Sequence, residues 1–349
     1  MHCPAGGTRV LQVHPTRRCN LACEHCYSSS GPHAQGELAL SLLLPCVEDA
    51  ARLGYTQLAV SGGEPLLYRG LAKLLAHARS VGMKTTMTTN GMLATYHRFG
   101  PIAPLVDVLA VSIDGRPGEH DRIRGKAGAF DRTVENLEVL RDTGVAFGFI
   151  FTLTQHNVDS LEFVVRLAAE QGAKSVQVHP LTLHGRAAAR MPDSHPDSIE
   201  LVAALCEAAR LAGEVDVAMH VDALTREQVL AYRDRLVPSQ PVRELAEVAP
   251  ILVVEADSTV VPLTHEVSRH LALGRLDEAP LPLLAREWIA AGRAARLAAA
   301  CDETWKALSE QPGASAVYWY EEVAARTRVA PGQGVGRAPA SRRTLMTSS

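Results

Sequence analysis

The sequence predicts an α/β fold built on a parallel sheet and followed by a smaller domain. Strand-type and helix-type segments alternate through the first half of the 349-residue chain. Six β-then-α units in series predict parallel strands, because a right-handed crossover connects each strand to the next. The length is sufficient for one large domain and a smaller one. The spacing of apolar residues along the chain is consistent with both an open doubly wound sheet and a partial barrel.

The strand-type runs are short and contain many apolar or β-branched residues, as strands do. They lie at residues 9–13, 57–60, 84–89, 107–113, 145–153 and 175–178. The segments between them repeat apolar residues at helical spacing. These predicted helices lie at residues 38–53, 71–80, 129–143 and 160–171.

From about Asp193 the regular alternation ends, and a mixed α+β region is predicted. Helices are expected at 197–212, 225–236, 278–308 and 317–328, with a strand at 215–221. Two apolar runs, 250–255 and 259–263, flank a polar Asp-Ser pair and predict a β-hairpin. We therefore expect a core at 1–192, a C-terminal region at 193–329 and a tail at 330–349. The tail is rich in Gly, Pro, Ser and Arg without apolar period, so it is predicted to be disordered.

Composition and charge exclude several classes of protein. The chain is 47% hydrophobic and 21% charged, which is typical of a globular protein. A net charge of −3 provides no basic field for nucleic acid. No signal peptide and no apolar run of membrane-spanning length is present. Seven cysteines, an odd number, disfavour a disulfide framework and favour a reducing compartment. We expect a cytoplasmic protein with neither a nucleic-acid nor a membrane partner.

Three of the cysteines, Cys19, Cys23 and Cys26, lie within eight residues of each other. Thiolates are the usual ligands of iron–sulfur clusters, which normally take four of them. Three thiolates without a fourth nearby would leave one iron open for chemistry, as in catalytic zinc sites. A zinc site would need a second Cys or His pair, and none follows. Three buried core cysteines are the other alternative, but the surrounding loop is polar.

At these residues the chain resembles the radical S-adenosylmethionine (SAM) family, whose signature is Cys-x3-Cys-x2-Cys followed by an aromatic residue, here Tyr27. The resemblance implies a [4Fe–4S] cluster on Cys19, Cys23 and Cys26, with SAM chelated to the open iron. It also implies reductive cleavage of SAM to a 5′-deoxyadenosyl radical that abstracts hydrogen from a substrate. The implied fold is a (β/α)6 partial TIM barrel. In such barrels the chemistry lies at the C-terminal ends of the strands, and the cysteine loop follows strand one.

Two glycine-containing segments follow the next two predicted strands and match the same family. The first is Gly62-Gly63-Glu64-Pro65, whose backbone the resemblance assigns to the amino group of SAM. Paired glycines permit close approach of backbone to a ligand, although they also suit a plain turn. The second is Thr88-Thr89-Asn90-Gly91, which the resemblance places near the ribose or the methionine moiety. Asn-Gly is also a common turn.

After the fourth strand, Ser112 and Asp114 are spaced to project from the same side of a strand end. An intervening loop then leads to Arg124-Gly125. Arg124 could pair bidentately with the carboxylate of SAM, a geometry that suits arginine better than lysine. Arg122 is the alternative for this role, or both arginines are surface charges. The order of these residues resembles the peptide-modifying branch of the family.

Further candidates follow strands five and six. Asn157 is expected to cap a helix, although in related enzymes an asparagine near this point faces the cofactor. The resemblance makes Leu181 a wall of the adenine site. His179, His184 and, in the C-terminal region, His265 are candidate proton carriers, because free histidine titrates near neutral pH. A histidine in a loop more often hydrogen-bonds to local structure.

The C-terminal region bears a second resemblance, to the SPASM or twitch domains that hold auxiliary iron–sulfur clusters. The predicted hairpin, Leu273-Gly274-Arg275-Leu276 and Trp288 fit the frame of such a domain. Its cysteines are missing, because only Cys301 remains downstream. We therefore expect no auxiliary cluster here. The scaffold is instead expected to act as a substrate-binding lid, with His265 and Glu266 in the former ligand loop.

The predicted function is that of a radical SAM enzyme acting on a ribosomally made peptide or a protein side chain. The alternative is a small-molecule substrate in cofactor or natural-product biosynthesis. A non-catalytic iron–sulfur electron carrier or redox sensor is disfavoured by the SAM motifs. The expected partners are the substrate and a one-electron donor such as flavodoxin or ferredoxin. Because only 18 residues precede Cys19, a separate peptide-recognition protein is also a candidate partner.

Overall fold

A computed structural model of the protein describes residues 8–310 and 316–328. The predicted tail at 330–349 lies outside these described residues. Helices and strands form a continuous apolar core that extends from the first strand to the last helix. No helix in the described part of the chain has the length and apolarity needed to span a bilayer.

Twelve strands are present in the described residues. They are β1 (Val10–Val13), β2 (Gln57–Val60), β3 (Lys84–Thr89), β4 (Val108–Ser112), β5 (Ala146–Leu153), β6 (Ser175–Pro180), β7 (Ala218–Val221), β8 (Leu224–Thr225), β9 (Ile251–Val254), β10 (Thr259–Pro262), β11 (Gly274–Arg275) and β12 (Ala316–Val317). All six strands predicted for the first half are therefore confirmed, as are the strand β7 and the hairpin β9–β10.

The helices surround this sheet. They are α1 (Leu40–Arg52), α2 (Leu71–Ser80), α3 (Pro117–Arg124), α4 (Ala129–Thr143), α5 (Leu161–Gln171), α6 (Arg186–Arg190), α7 (Ser198–Ala212), α8 (Arg226–Ala231), α9 (Arg233–Leu236), α10 (Leu245–Val248), α11 (Leu281–Ala290), α12 (Arg293–Glu310) and α13 (Trp319–Thr327). Short 3₁₀ turns lie at Pro65–Leu67, Ala103–Leu105, Val158–Ser160 and Arg269–Leu271.

The strand order decides between the two sheet architectures. β1 to β6 are neighbours in chain order, and each pairs in parallel with the next. A doubly wound sheet would reverse its order at a switch point, and this sheet has no reversal between β1 and β6. A one-directional order with an α-helix or helical turn in each crossover is that of a partial barrel.

Strands of the C-terminal region extend this sheet at both edges. β7 pairs in parallel with β6, and β9 pairs in parallel with β1. β10 and β11 continue antiparallel beyond β9. β1 is thus an inner strand, covered by β2 on one side and β9 on the other. The division at 192/193 stays a prediction, because the two regions share one sheet.

The short elements α6, α10, β8, β11 and β12 were not predicted, and three longer segments also differ from the prediction. The intervening loop after β4 contains a helix, α3, which begins with Pro117 at its first position and ends at Gly125 with φ of +67°. Proline at the start and glycine after the end are ordinary helix boundaries, so the sequence did carry this signal. The predicted helix at 225–236 is divided at Tyr232 into α8 and α9, and that at 278–308 is divided after Ala290 into α11 and α12.

The C-terminal hairpin is fixed to the core through Trp288 of α11. The indole is fully buried and its Nε1 donates a hydrogen bond of 2.9 Å to the carbonyl oxygen of Leu271. Leu271 lies in the 3₁₀ turn between β10 and β11. One side chain therefore joins a helix to the loop that follows the hairpin.

We expect Trp288→Ala to lower the free energy of unfolding by about 3–5 kcal/mol, because it leaves a cavity in the core and an unpaired buried carbonyl. Urea unfolding followed by circular dichroism measures the change. Trp288→Phe, which retains most of the ring, should lose less. A loss for Trp288→Ala below about 1 kcal/mol would mean that this indole does not fix the hairpin.

Candidate active site

The cysteine loop begins where β1 ends, and its backbone is fixed at several points. The amide of Cys19 donates to the carbonyl of Gly31, and that of Glu24 donates to the carbonyl of Ile123 at the end of α3. Arg186, at the start of α6, donates 2.8 Å and 2.6 Å hydrogen bonds to the carbonyls of Cys23 and Ser30. The loop is thus held by elements that follow β4 and β6.

Each of the three thiols has one polar side chain beside it. The amide nitrogen of Asn90 lies 3.8 Å from the sulfur of Cys19, and a guanidinium nitrogen of Arg124 lies 3.9 Å from that of Cys23. The hydroxyl of Ser28 lies 3.4 Å from the sulfur of Cys26. Hydrogen bonds to cluster-ligating sulfurs tune the reduction potential of iron–sulfur clusters.

Burial opposes deprotonation of two of these thiols. It raises the pKa of Cys19 to about 12, with a further contribution from the carboxylate of Glu64. Burial also raises the pKa of Cys23, although the charge of Arg124 acts in the opposite direction. Three thiolates in this environment need more positive charge than one arginine provides. A cationic iron centre would supply that charge, so the donor set fits a cluster.

The arrangement does not fit a site for one metal ion. No three His, Cys, Asp or Glu side chains within residues 8–310 and 316–328 converge in a way that could hold a single ion. A structural zinc site needs four ligands around one point. Thiolates that bind different irons of a cluster have no such requirement.

The thiols line a cavity at the C-terminal ends of the parallel strands. Its wall includes residues from the loops after β1, β2, β3 and β6. The predicted residues found there are Cys19, Cys23, Cys26, Tyr27, Gly62, Gly63, Glu64, Asn90, Ser112, Arg124, His179 and Leu181. We call this space the cofactor cavity. Residues from distant parts of the chain thus meet where the strand-end rule places the chemistry.

Glu64 connects the loops after β2 and β3. Its carboxylate is fully buried and accepts hydrogen bonds from the amides of Leu66 and Asn90 and from the hydroxyl of Thr89. Gly63 packs against the carbonyl of Arg18 so closely that an added Cβ would collide with it. The Gly-Gly-Glu segment is therefore pressed against the cysteine loop. Glycine is required there for space.

Arg124 enters the cavity from the end of α3, paired with Asp114. The two side chains form an ion pair at 2.5 Å, and both are almost fully buried. Burial would raise the pKa of Asp114, but the guanidinium of Arg124 outweighs it and holds that pKa well below its usual range. The Nε atom of Arg124 is buried and has no hydrogen-bond partner in the described part of the chain. It is free to bind an anionic group of a ligand.

Comparison with known proteins identifies this arrangement. Residues 13–168 match the model of the Radical SAM superfamily. The chain contains a radical SAM domain. SAM is bound in a solved structure of similar fold, named below, and a [4Fe–4S] cluster is characteristic of the Radical SAM superfamily. The radical SAM domain expected from the cysteine motif is thus confirmed, and the expected cofactors are those of its superfamily.

The curated relatives of the radical SAM domain include a maturase and a synthase. Mycofactocin maturase MftC of Mycolicibacterium smegmatis is 34% identical over 185 residues, 52% of this chain and 46% of that protein. Fe-coproporphyrin III synthase of Methanosarcina barkeri is 31% identical over 179 residues, 51% of this chain and 45% of that protein. The chain spans about half the length of the curated relatives that it matches.

A solved structure extends the likeness beyond the radical SAM domain. Native anSMEcpe with bound AdoMet and Kp18Cys peptide has a TM-score of 0.61 at 17% identity, with 90% of this chain and 94% of that chain covered. At this identity the likeness shows the fold alone. It supports an α/β fold with a parallel sheet of the kind found in barrel-like radical SAM enzymes.

Four residues predicted within the 1–192 core do not line the cofactor cavity. Asp114 lies behind Arg124, as described above. Asn157 uses its side chain within the turn after β5, where it accepts from the amide of Thr154 and donates to the carbonyl of Thr152. His184 lines an adjacent chamber, described below. Arg122, the alternative to Arg124, lies on the surface and faces Glu24 at 3.7 Å.

The three candidate histidines have different surroundings. His179 lies in the cofactor cavity, and its Nδ1 is 2.8 Å from a carboxylate oxygen of Asp222 after β7. His184 and His265 line a second chamber of about 200 Å³, together with His14 from the end of β1. The roles of these histidines in proton transfer stay predictions.

The sequence analysis assigned no individual role to several polar side chains in or around the cysteine loop. They are His14, Asn20, Ser28, Ser61, Thr89 and Arg186. Arg186 lies shortly after strand six. Its position after a strand end was the only sequence feature that could have suggested a contact with the cysteine loop. The others are polar residues whose contacts form only when the strand ends come together in the fold.

Glu266, in the loop after β10, is a buried carboxyl group. Only 5% of the residue is exposed, and its Oε2 has no hydrogen-bond partner in the described part of the chain. Burial, with a further contribution from Glu321, raises the pKa of Glu266 to about 7. Glu321 is itself hydrogen-bonded to His195 at 2.8 Å.

This raised pKa makes the stability of the protein depend on pH. The folded protein retains a proton on Glu266 that the unfolded chain releases near pH 4.3, so stability falls as the pH rises from about 4 to 7. We expect Glu266→Gln to remove this fall and to exceed the wild type in stability at pH 8 by ~1–3 kcal/mol.

Urea unfolding at pH 5 and pH 8 measures the effect. Glu303→Gln, which replaces an exposed carboxylate on α12, is the matched control and should follow the wild type at both pH values. A Glu266→Gln protein with the pH dependence of the wild type would contradict the assignment.

Proposed function

We propose that the protein is a radical SAM enzyme that modifies a peptide or a protein side chain. The observation that carries this proposal is the meeting of three thiols, a Gly-Gly-Glu segment and a buried arginine in one cavity. When bound, the cluster and SAM would supply a radical that abstracts hydrogen from the substrate. The chain's own residues would bind these groups, orient them and exclude water.

Cys19, Cys23 and Cys26 would hold the cluster. Asn90, Arg124 and Ser28 lie beside the three sulfurs and would donate hydrogen bonds to them. These contacts would favour the more negative state of the cluster, because each places a positive hydrogen against a sulfur.

SAM would occupy the rest of the cavity. The backbone of Gly62 and Gly63 would receive its amino group, and the unpartnered Nε of Arg124 would receive its carboxylate. Ser112 and Asn90 offer further hydrogen bonds at the strand ends. Leu181 is 1% exposed and would form an apolar wall against the adenine.

Asp114 would act through Arg124. A buried arginine without a partner is costly, and the Asp114 carboxylate holds this one in place and charged. Since Asp114 also faces His25 of the cysteine loop at 3.5 Å, it connects the carboxylate site to the cluster site.

The substrate assignment rests on two considerations. MftC is named as a maturase, and the anSMEcpe structure contains a peptide. We propose that residues 193–329 form a SPASM- or twitch-like region that has lost its cluster ligands and binds substrate. The proposal includes a one-electron donor such as flavodoxin or ferredoxin, a separate peptide-recognition protein and a cytoplasmic location.

A small-molecule substrate is the second candidate. Fe-coproporphyrin III synthase covers a similar share of the chain at similar identity. The chamber beside the cofactor cavity is small and contains three histidines, which suits a compact polar substrate as well as one peptide side chain.

The deciding experiment is anaerobic reconstitution followed by reduction with dithionite in the presence of SAM. We expect about four irons per chain and formation of 5′-deoxyadenosine. Cys19→Ala should lose both, since it removes a cluster ligand. Cys206→Ala, which replaces an exposed cysteine on α7, is the matched control and should retain both.

A Cys19→Ala protein with unchanged iron content and SAM cleavage would refute the ligand assignment. A wild-type protein with a full cluster that neither binds nor cleaves SAM would favour the electron carrier. Assays with peptides and with porphyrins then separate the two substrate classes.

Arg124→Lys should raise the dissociation constant of SAM roughly tenfold, because an ammonium group cannot both pair with Asp114 and donate from the Nε position. Equilibrium dialysis with the reconstituted protein measures this change. Arg122→Lys is the matched control on the exposed face of the same helix and should bind SAM as the wild type does. A shift confined to Arg122→Lys would transfer the role to that residue.

A further inference from the structure

Tyr27 separates two spaces at the end of the barrel. The residue lines both the cofactor cavity and the second chamber. We call this second space the histidine chamber, after His14, His184 and His265 in its wall. Tyr27 is therefore part of the wall of both spaces.

His265 lies flat on the ring of Tyr27. The ring centroids are 4.4 Å apart and the planes differ by 7°, which is a stacked geometry. The rings of His14 and His184 lie 5.1 Å and 6.1 Å from His265. The described residues provide no hydrogen bond to the ring nitrogens of His265, so stacking is its main specific contact.

The rest of Tyr27 is held at its two ends. Its hydroxyl oxygen is 3.1 Å from that of Ser61 and 3.4 Å from Nε2 of His14. Its main chain follows directly from Cys26. These contacts fix the hydroxyl and the backbone, but neither fixes the rotation of the ring about its long axis. The ring of His14 packs against that of Tyr27 at a tilt of 47°, and His265 supplies the parallel surface that opposes rotation.

Both rings of the stack are neutral at physiological pH. Burial raises the pKa of Tyr27 to about 12 and lowers the pKa of His265 well below 6.5. Stacking between neutral aromatic rings contributes about 0.5–1.5 kcal/mol beyond the area that it buries.

The element that carries His265 is anchored to the strand that precedes the cysteine loop. β9 pairs with β1 in register, with Val254 opposite Val13, and β10 pairs with β9. The amide of Leu263 donates to the carbonyl of Ile251, and that of Thr264 donates to the carbonyl of Pro262. His265 follows these two fixed residues, so its position relative to Tyr27 is determined by the sheet.

We propose that His265 is a positioning residue that holds the ring of Tyr27 in place as a wall of the cofactor cavity. The C-terminal hairpin thereby contributes to SAM affinity without touching SAM. This inference rests on the proposed function, in which the cavity binds SAM. It replaces proton transfer as the role of His265.

The test is the dissociation constant of SAM for reconstituted protein, measured by anaerobic equilibrium dialysis. We expect His265→Ala to raise it roughly three- to tenfold, the range that loss of one aromatic stack gives. His265→Phe should remain within about twofold of the wild type, because a phenyl ring restores the stack. His270→Ala, an exposed histidine in the same loop region, is the matched control and should have no effect.

A double-mutant cycle tests whether His265 acts through Tyr27. In a Tyr27→Leu protein, which has no ring to position, His265→Ala should cause no further loss of SAM affinity. Iron content per chain is measured for every variant and should stay equal to that of the wild type.

The outcomes separate the inference from the proposed function. Unchanged affinity in His265→Ala, equal losses in the alanine and phenylalanine variants, or additive losses in the cycle would each overturn the positioning role. SAM binding by the wild type would leave the proposed function standing in those cases. A wild-type protein that assembles its cluster and binds no SAM would overturn both.

Discussion

The pairing of β1 with β2 on one side and β9 on the other is the constraint on which the site depends. Because β1 is an inner strand, the point at which it ends is fixed from both sides. The cysteine loop starts at that point, directly opposite the Gly-Gly-Glu segment after β2. On the other side β9 leads into the hairpin that carries His265. One strand therefore sets the distances between the thiols, the proposed amino-group site and the C-terminal loop.

The charges of the cavity form a second constraint. Arg124 is almost fully buried, and its attraction to Asp114 offsets the cost of removing both charges from water. Glu64, the other buried carboxylate, is stabilised by three hydrogen bonds instead. Cys19 and Cys23 lie beside these groups, and burial raises the pKa of both thiols. Assembly of a cluster would thus release protons and add the positive charge that the site needs.

Local sequence patterns were sufficient to predict the strands, the cysteine loop and most of the residues that line the cofactor cavity. Each depends on a period or a motif within a few residues, so contacts at long range were not needed. The contacts of Asp114 and the pairing of β9 could not be predicted from local sequence patterns. Ser112 and Asp114 share a strand-end spacing, and only the position of α3 directs Asp114 to Arg124 and away from the cavity. The hairpin was predicted, but its pairing with β1 depends on the path of the whole chain.

The C-terminal region completes the barrel whether or not it once held a cluster. Leu263, the first residue after β10, has a positive φ of 65°, a conformation that costs energy for any residue other than glycine. A buried leucine in this conformation persists only when its surroundings impose it. Here the imposed turn directs His265 towards Tyr27. The hairpin adopts this geometry without the cysteines of the SPASM pattern, and its aromatic contact joins it to the cysteine loop.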